Sequence, residues 1–151
     1  MSDPGPTVLA VNISAGGIPK LPVAVGHVTN SGLEGDAHDH EKHNTPLQAI
    51  SLISVEVLDD LRAEGFDVGP GATGENLTVR GLDVDGLQPG VRLVFSGGVV
   101  LEYTKRRQPC YVLDAIDADL KNVVRDRCGG YTKVITGGDV RAGETIELRH
   151  V

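Results

Sequence analysis

Glycine cuts this chain into short pieces, and that constrains the fold more than any other feature. Twenty of its 151 residues are glycine, and eight more are proline. They follow no collagen-like period, so they mark turns between many short elements. Thr7 to Ile13 (TVLAVNI) is a β-branched run closed by Gly16-Gly17, and reads as a first strand. Leu21 to Thr29 reads as a second strand, entered through Pro19 and Pro22. Gln48 to Ile53 and Asn76 to Arg80 read as two more. Val91 to Ser96 and Val99 to Thr104 flank Gly97-Gly98, a hairpin signal. Tyr131 to Thr136 and Thr145 to Arg149 follow, with a Gly137-Gly138 turn between them.

Two segments carry a helical period instead. Ser54 stands as an N-cap before Val55, Leu58 and Leu61, which share one face, and Gly65 ends the run. After Pro109, Val112, Ile116, Leu120, Val123 and Val124 recur at helical spacing. Asp114, Asp117 and Asp119 lie toward the start of that segment and Lys121, Arg125 and Arg127 toward its end, as the helix dipole favours. Leu87 to Gly90 and Val140 to Gly143 are similar turns that each feed an apolar run. The pattern predicts a mainly β domain with helices (α+β): a twisted sheet closing, fully or partly, into a β-barrel decorated by two or more helices. No linker divides it, so residues 1–151 read as one domain, with 1–6 as a disordered tail.

Aromatic residues are scarce and Trp is absent, so Val, Leu and Ile must fill the core. The net charge of −7 argues against nucleic-acid binding and against anionic membranes. No apolar run approaches a membrane span, and the N-terminus does not resemble a secretory signal. Two cysteines are too few for a disulfide framework, which points to a reducing, cytoplasmic setting.

The sharpest chemical signal is Leu101 to Cys110 (LEYTKRRQPC). It runs off a strand through Thr104, Lys105, Arg106 and Arg107, and reaches Cys110 just before the second helix. A thiol at a helix N-terminus, close to cations, is held toward thiolate. The same cations suit a phosphate. Cys128, at the far end of that helix, reads as a packing residue.

Asn30 to Thr45 is a long polar loop that holds three of the five histidines. His38, His40 and His43 alternate with Asp36, Asp39 and Glu41, but their spacing matches no familiar zinc pattern such as H-E-x-x-H. His38 or His43 as an acid–base partner fits the composition better than a metal site. Gly69 to Glu75 (GPGATGE) has the makings of an anion cradle built from backbone N–H groups, although it lacks the lysine-serine/threonine ending of a P-loop.

Three segments together resemble the MOSC family, the domain found at the C-terminus of molybdenum-cofactor sulfurases and in free-standing bacterial proteins. They are Gly32 to His38 with His43 and Leu52 to Glu56, then Pro70 to Val79 with Gly81-Leu82, and Leu101 to Cys110. The resemblance covers nearly the whole chain and departs at Arg106, where some free-standing members carry proline. It implies a β-barrel-like fold and a protein that binds the molybdenum cofactor (molybdopterin), or carries sulfur on Cys110 as a persulfide. Carried over residue by residue, Cys110 is the reacting thiol and metal ligand; the residues themselves offer His38 and His43 as its acid–base candidates. Thr104, Lys105, Arg107, Glu75, Asn76 and Asp36 are cofactor-binding candidates. The implied activity is of sulfurtransferase or molybdenum-cofactor-dependent type. The implied partners are a small molecule or cofactor and a sulfur donor or molybdoenzyme-maturation protein. The residues leave an alternative open: a stand-alone enzyme (reductase, sulfurtransferase or lyase) acting on a sulfur-containing or N-hydroxylated substrate through Cys110 and a loop histidine. A scaffold that docks on a maturation partner is a third reading.

Overall fold

The computed structural model describes residues 5–14, 20–36, 49–107 and 128–150. The strands are β1 (Thr7–Ile13), β2 (Leu21–Val23), β3 (Gly26–Thr29), β4 (Gly32–Leu33), β5 (Ile50–Ser54), β6 (Leu77–Arg80), β7 (Arg92–Phe95), β8 (Val100–Arg106), β9 (Gly130–Thr136), β10 (Gly138–Val140) and β11 (Ile146–Arg149). One α-helix, α1 (Val55–Ala63), joins β5 to β6, and a 3-10 turn occupies Val84–Gly86. Eight strands form one sheet in the order β11-β7-β8-β9-β5-β6-β1-β2, and β10-β3-β4 form a smaller one.

Strand β5 lies inside the larger sheet and is buried along its whole length. It pairs in parallel with β6, with α1 as the connection, and antiparallel with β9. Its side chains alternate between two cores, as a strand covered on both faces must. Ile50 and Leu52 join the main core with Val11, Leu77, Leu93, Phe95, Leu101 and Tyr103. Ile53 joins a second core with Leu58 and Leu61 of α1, Val68 and Cys128. The expected apolar helix face is therefore real. Burying Leu58 and Leu61 contributes about 1.5–3 kcal/mol each. Ser54 does occupy the N-cap, yet its hydroxyl donates to the Leu82 carbonyl instead of capping the helix.

Three expectations need correction. The run Leu21 to Thr29 is not one strand: β2 pairs with β1 in the large sheet, whereas β3 pairs with β4 and β10 in the small one. No sheet among the described residues closes into a barrel. The outer strand β2 has three residues and carries Pro22, which has no N–H to extend a ladder. Past the end of β2, the first half of β1 makes one bridge, Thr7 to Thr145, supported by Val8 N–H to Glu144 O (2.8 Å) and Gly143 N–H to Val8 O (2.7 Å). The sheet thus bends until its two sides touch at a single bridge, and the ladder goes no further. Finally, one α-helix is found among the described residues, not two or more; the second helical segment, from Val112 to Val124, lies outside them. Residues 1–4 of the expected tail also lie outside. Pro6 belongs to the fold, because its carbonyl accepts from Ile146 N–H at 2.9 Å.

Candidate functional site

Strand β8 leads to the site. Its ladder with β9 shifts register between Tyr103 and Lys105. Such a bulge re-aims the residues beyond it. Past the bulge, Arg106 pairs with Gly130, and Arg107 N–H donates to Gly129 O at 3.0 Å. This is why Gly130 must lack a side chain: a Cβ there would come 2.2 Å from the Tyr103 ring. The consecutive cations of the sequence do not act as one strip. Lys105 and Arg106 are exposed, while Arg107 turns inward and its Nη2 donates to the Thr73 carbonyl. Its Nη1 is buried and has no hydrogen-bond partner among the described residues.

Thr73 belongs to the glycine-rich loop before β6, and that loop is built around a carboxylate of its own. Glu75 is fully buried. Its Oε1 accepts from Thr73 Oγ1 (2.7 Å), and its Oε2 accepts from Gly71 N–H (2.8 Å) and Thr78 Oγ1 (2.7 Å). The amides of Ala72 and Gly74 are also taken, by the carbonyls of Gly69 and Gly71. Of the backbone N–H groups expected to form an anion cradle, only that of Gly71 meets a carboxylate, and the carboxylate is Glu75. That carboxylate is bonded within its own loop.

The next residue carries the network onward. Asn76 holds Ser51 through Oδ1, which accepts the Ser51 N–H at 3.1 Å, and its Nδ2 donates to Asp36 Oδ2 at 3.0 Å. Asp36 also accepts from Ser14 N–H (2.9 Å) and forms an ion pair with Lys20 Nζ at 2.6 Å. Lys20 N–H in turn donates to Gly71 O at 2.8 Å. Asn12, fully buried, ties the inner side together by donating to Thr78 Oγ1 at 3.1 Å.

Four of the predicted residues, Asp36, Glu75, Asn76 and Arg107, thus fall in one connected polar network around residues 71–78. The Thr104 hydroxyl donates to Tyr131 O at 3.1 Å within the β8–β9 ladder, and Lys105 faces outward. Cys110, His38 and His43 lie outside the described residues, as does the rest of the histidine loop from Ala37 onward. Among the described residues no group of three or more His, Cys, Asp or Glu is placed to hold a metal. Cys128 packs in the second core, as its position in the sequence suggested. Sequence reasoning missed Lys20, Asn12, Thr73 and Thr78. Only Asn12 carried a signal, a polar residue at an inward position of an otherwise apolar strand.

Nearby titrations are set by burial and neighbouring charge. Burial pushes the Tyr103 phenol up, opposed by Arg106 and helped by Asp85. Burial pushes the Glu102 carboxyl up, but hydrogen bonds from Lys133 and Arg92 outweigh it and hold it below its usual range.

The sequence model of the MOSC domain matches residues 39–147, well over half of the chain. The chain belongs to the MOSC domain family. Solved structures agree with this MOSC domain in fold. YuaD of Bacillus subtilis is 19% identical, with a TM-score of 0.79 over 97% of both chains. YiiM of Geobacillus stearothermophilus is 25% identical, with a TM-score of 0.76, over 96% of this chain and 75% of its own. A protein of Gibberella moniliformis (strain M3125 / FGSC 7600) described as "Reductase" is 29% identical over 128 residues. The MOSC domain described here spans only 22% of that protein's length.

Proposed function

We propose that this MOSC domain works through the Cys110 thiolate, either carrying sulfur as a persulfide or ligating the metal of the molybdenum cofactor, with Arg107 seating the cofactor's phosphate. One observation carries the reading: Arg107 is fixed at both backbone and guanidinium, yet its buried Nη1 has no hydrogen-bond partner among the described residues. A buried donor on a charged group is costly to leave unmatched, and an oxyanion is what a guanidinium matches best. The described residues therefore fit the phosphate end of such a cofactor. Cys110 follows Arg107 by three residues in the sequence.

When bound, the molybdenum cofactor supplies a redox-active metal that a soft thiolate can ligate. This chain would contribute Cys110 as the ligand and Arg107 as the phosphate donor. In the sulfur-carrying role, the Cys110 thiolate attacks the outer sulfur of a donor persulfide. A new S–S bond forms on Cys110, the donor's S–S bond breaks, and the electron pair leaves with the donor as thiolate. The proton stays on the transferred sulfur. No external oxidant is needed.

The reductase relative supports a second reading, in which the fold serves a reductase acting on a small substrate with His38 or His43 as proton donor. Asp36, the last described residue before the histidine loop, is held by Lys20, Ser14 and Asn76, which supports this reading. A reducing, cytoplasmic setting belongs to the same proposal, since a persulfide carrier needs its thiol free. The test compares Cys110→Ser with wild type after anaerobic exposure to a persulfide donor or to the cofactor. Wild type should gain one sulfur atom by mass spectrometry, or bound molybdenum, and Cys110→Ser neither. Equal loading of the two proteins would refute it.

A further inference from the structure

We propose that two copies of this chain form a weak, salt-sensitive dimer, in which the acidic ridge of α1 in each copy lies across a row of cations on the other copy's sheet. The proposal is independent of the thiol and cofactor readings.

The sheet register builds the row. Arg149 of β11 lies opposite Arg92 of β7, Arg92 opposite Glu102 of β8, and Glu102 opposite Lys133 of β9. Residues directly opposite one another point to the same side of a sheet, so all four share one face. In β9, Thr132 lies opposite Ile50, which enters the main core. Lys133, one residue on, points the other way, to the side on which α1 packs against β5 and β6. The cations of the row are open: Arg92 and Lys133 are 39% and 40% exposed, and Arg149 62%. Glu102 contacts both Arg92 (3.3 Å) and Lys133 (3.2 Å) and is recessed between them at 18%. Like charges directly opposite each other on neighbouring strands destabilise a sheet, and Arg149 opposite Arg92 is such a pair. Three cations lined across four strands, in a chain of net charge −7, present a face that fits negative charge.

Helix α1 carries the complement. Glu56, Asp60 and Glu64 follow at intervals of four, with Asp59 beside them, and all are exposed. Residues at that interval share one helix face. The one cation of the helix, Arg62, is engaged by Asp59 and the Val68 carbonyl. Glu56 to Glu64 spans about 12 Å along the axis, and the row from β11 to β9 about 14 Å. The helix runs back along β5 to reach the parallel β6. Sheet twist, about 20–25° per strand, turns the strands of the row steeply away from that direction. A second copy's α1 therefore crosses them and sets its carboxylates against the cations. Ridge and row lie on the same side of one sheet, so a two-fold axis between two copies makes both contacts at once.

The experiment is sedimentation velocity on the intact protein over a range of concentrations, at low and at high salt. Wild type should pair at low salt with a dissociation constant of about 10–100 µM, and at least about tenfold more weakly at about 0.5 M salt, where exposed charges are screened. Arg92→Glu/Lys133→Glu and Asp60→Lys/Glu64→Lys should each be monomeric where wild type is paired. Mixed, the two variants should pair again, because each offers the sign that the other has lost. The helix variant also brings the net charge closer to zero, so simple relief of repulsion between copies would tighten pairing instead of abolishing it. Arg149→Glu, a milder change at the sheet edge, should weaken pairing by about threefold or more. Arg141→Glu, exposed beside the smaller sheet, should pair like wild type. Circular dichroism confirms that each variant is folded. A wild type that stays monomeric up to about 500 µM overturns the proposal. So does pairing that survives either double reversal or Arg149→Glu in a folded variant, or a mixture of the two double variants that stays monomeric.

Discussion

Replacing Glu75 with alanine removes the carboxylate around which the glycine-rich loop is folded. Three donors converge on it, the Gly71 amide and the Thr73 and Thr78 hydroxyls, all within 2.8 Å, and the side chain has no exposure to solvent. Water cannot replace it without opening the loop. Each stranded buried donor costs about 1–3 kcal/mol. The two hydroxyls can partly rotate toward other acceptors, so the sum should fall at about 3–6 kcal/mol. That is a large part of the 5–15 kcal/mol typical of a whole domain. Glu75→Gln keeps the shape and loses the charge, and should cost about 1–2 kcal/mol, the difference between charged and neutral hydrogen bonds. Urea unfolding followed by circular dichroism measures both variants, with the slope m confirming that the midpoint shift reports stability. If Glu75→Ala lowers stability by less than about 1 kcal/mol, the carboxylate is not the loop's organiser and the reasoning fails.

Other consequences follow from the same geometry. Gly71→Ala places a Cβ against the Lys20 carbonyl at a backbone φ of +84°, and should cost more than about 2 kcal/mol in thermal or urea unfolding. Tyr103 should remain protonated beyond the range in which exposed tyrosines ionise, seen as a late step in the ultraviolet titration. Because its folded value is raised, its contribution to stability is complete below about pH 10 and is lost as pH rises through the folded value. Glu102 has the opposite sign. Its lowered value gives stability that is present above about pH 4.3 and lost in more acid solution, and Glu102→Gln should flatten that acid limb.

The strands were legible because glycine and proline punctuate them and because Val, Ile and Thr fill them. Helix α1 was legible for its period, with Val55, Leu58 and Leu61 facing inward. Sheet membership was not. Nothing in Leu21 to Thr29 shows that its two halves pair with different partners, since pairing is decided by residues distant in the chain. Barrel closure was equally hidden, because it depends on how far the sheet bends between Thr7 and Thr145. At the site, Asp36, Glu75, Asn76 and Arg107 could be found by motif, but their division of labour could not. Glu75 and Arg107 read alike as ligand contacts. Burial alone separates a carboxylate enclosed by its own loop from a guanidinium with a donor unmatched among the described residues. The bulge in β8 that sets the direction of Lys105 and Thr104 was not legible either. Lys20 was invisible, a single lysine after a proline, given meaning only by the carbonyl of Gly71.

The rate at which Cys110 is alkylated by iodoacetamide, followed against pH in the folded protein with Cys128 as internal reference, tests the thiol reading most directly. Cys110 should react fast and begin to do so below the ordinary thiol range near about pH 8.5, and Arg107→Met should move that onset upward. Cys128, 4% exposed in the second core, should stay unmodified until the protein unfolds. Equal resistance of the two cysteines in the folded state would contradict the account.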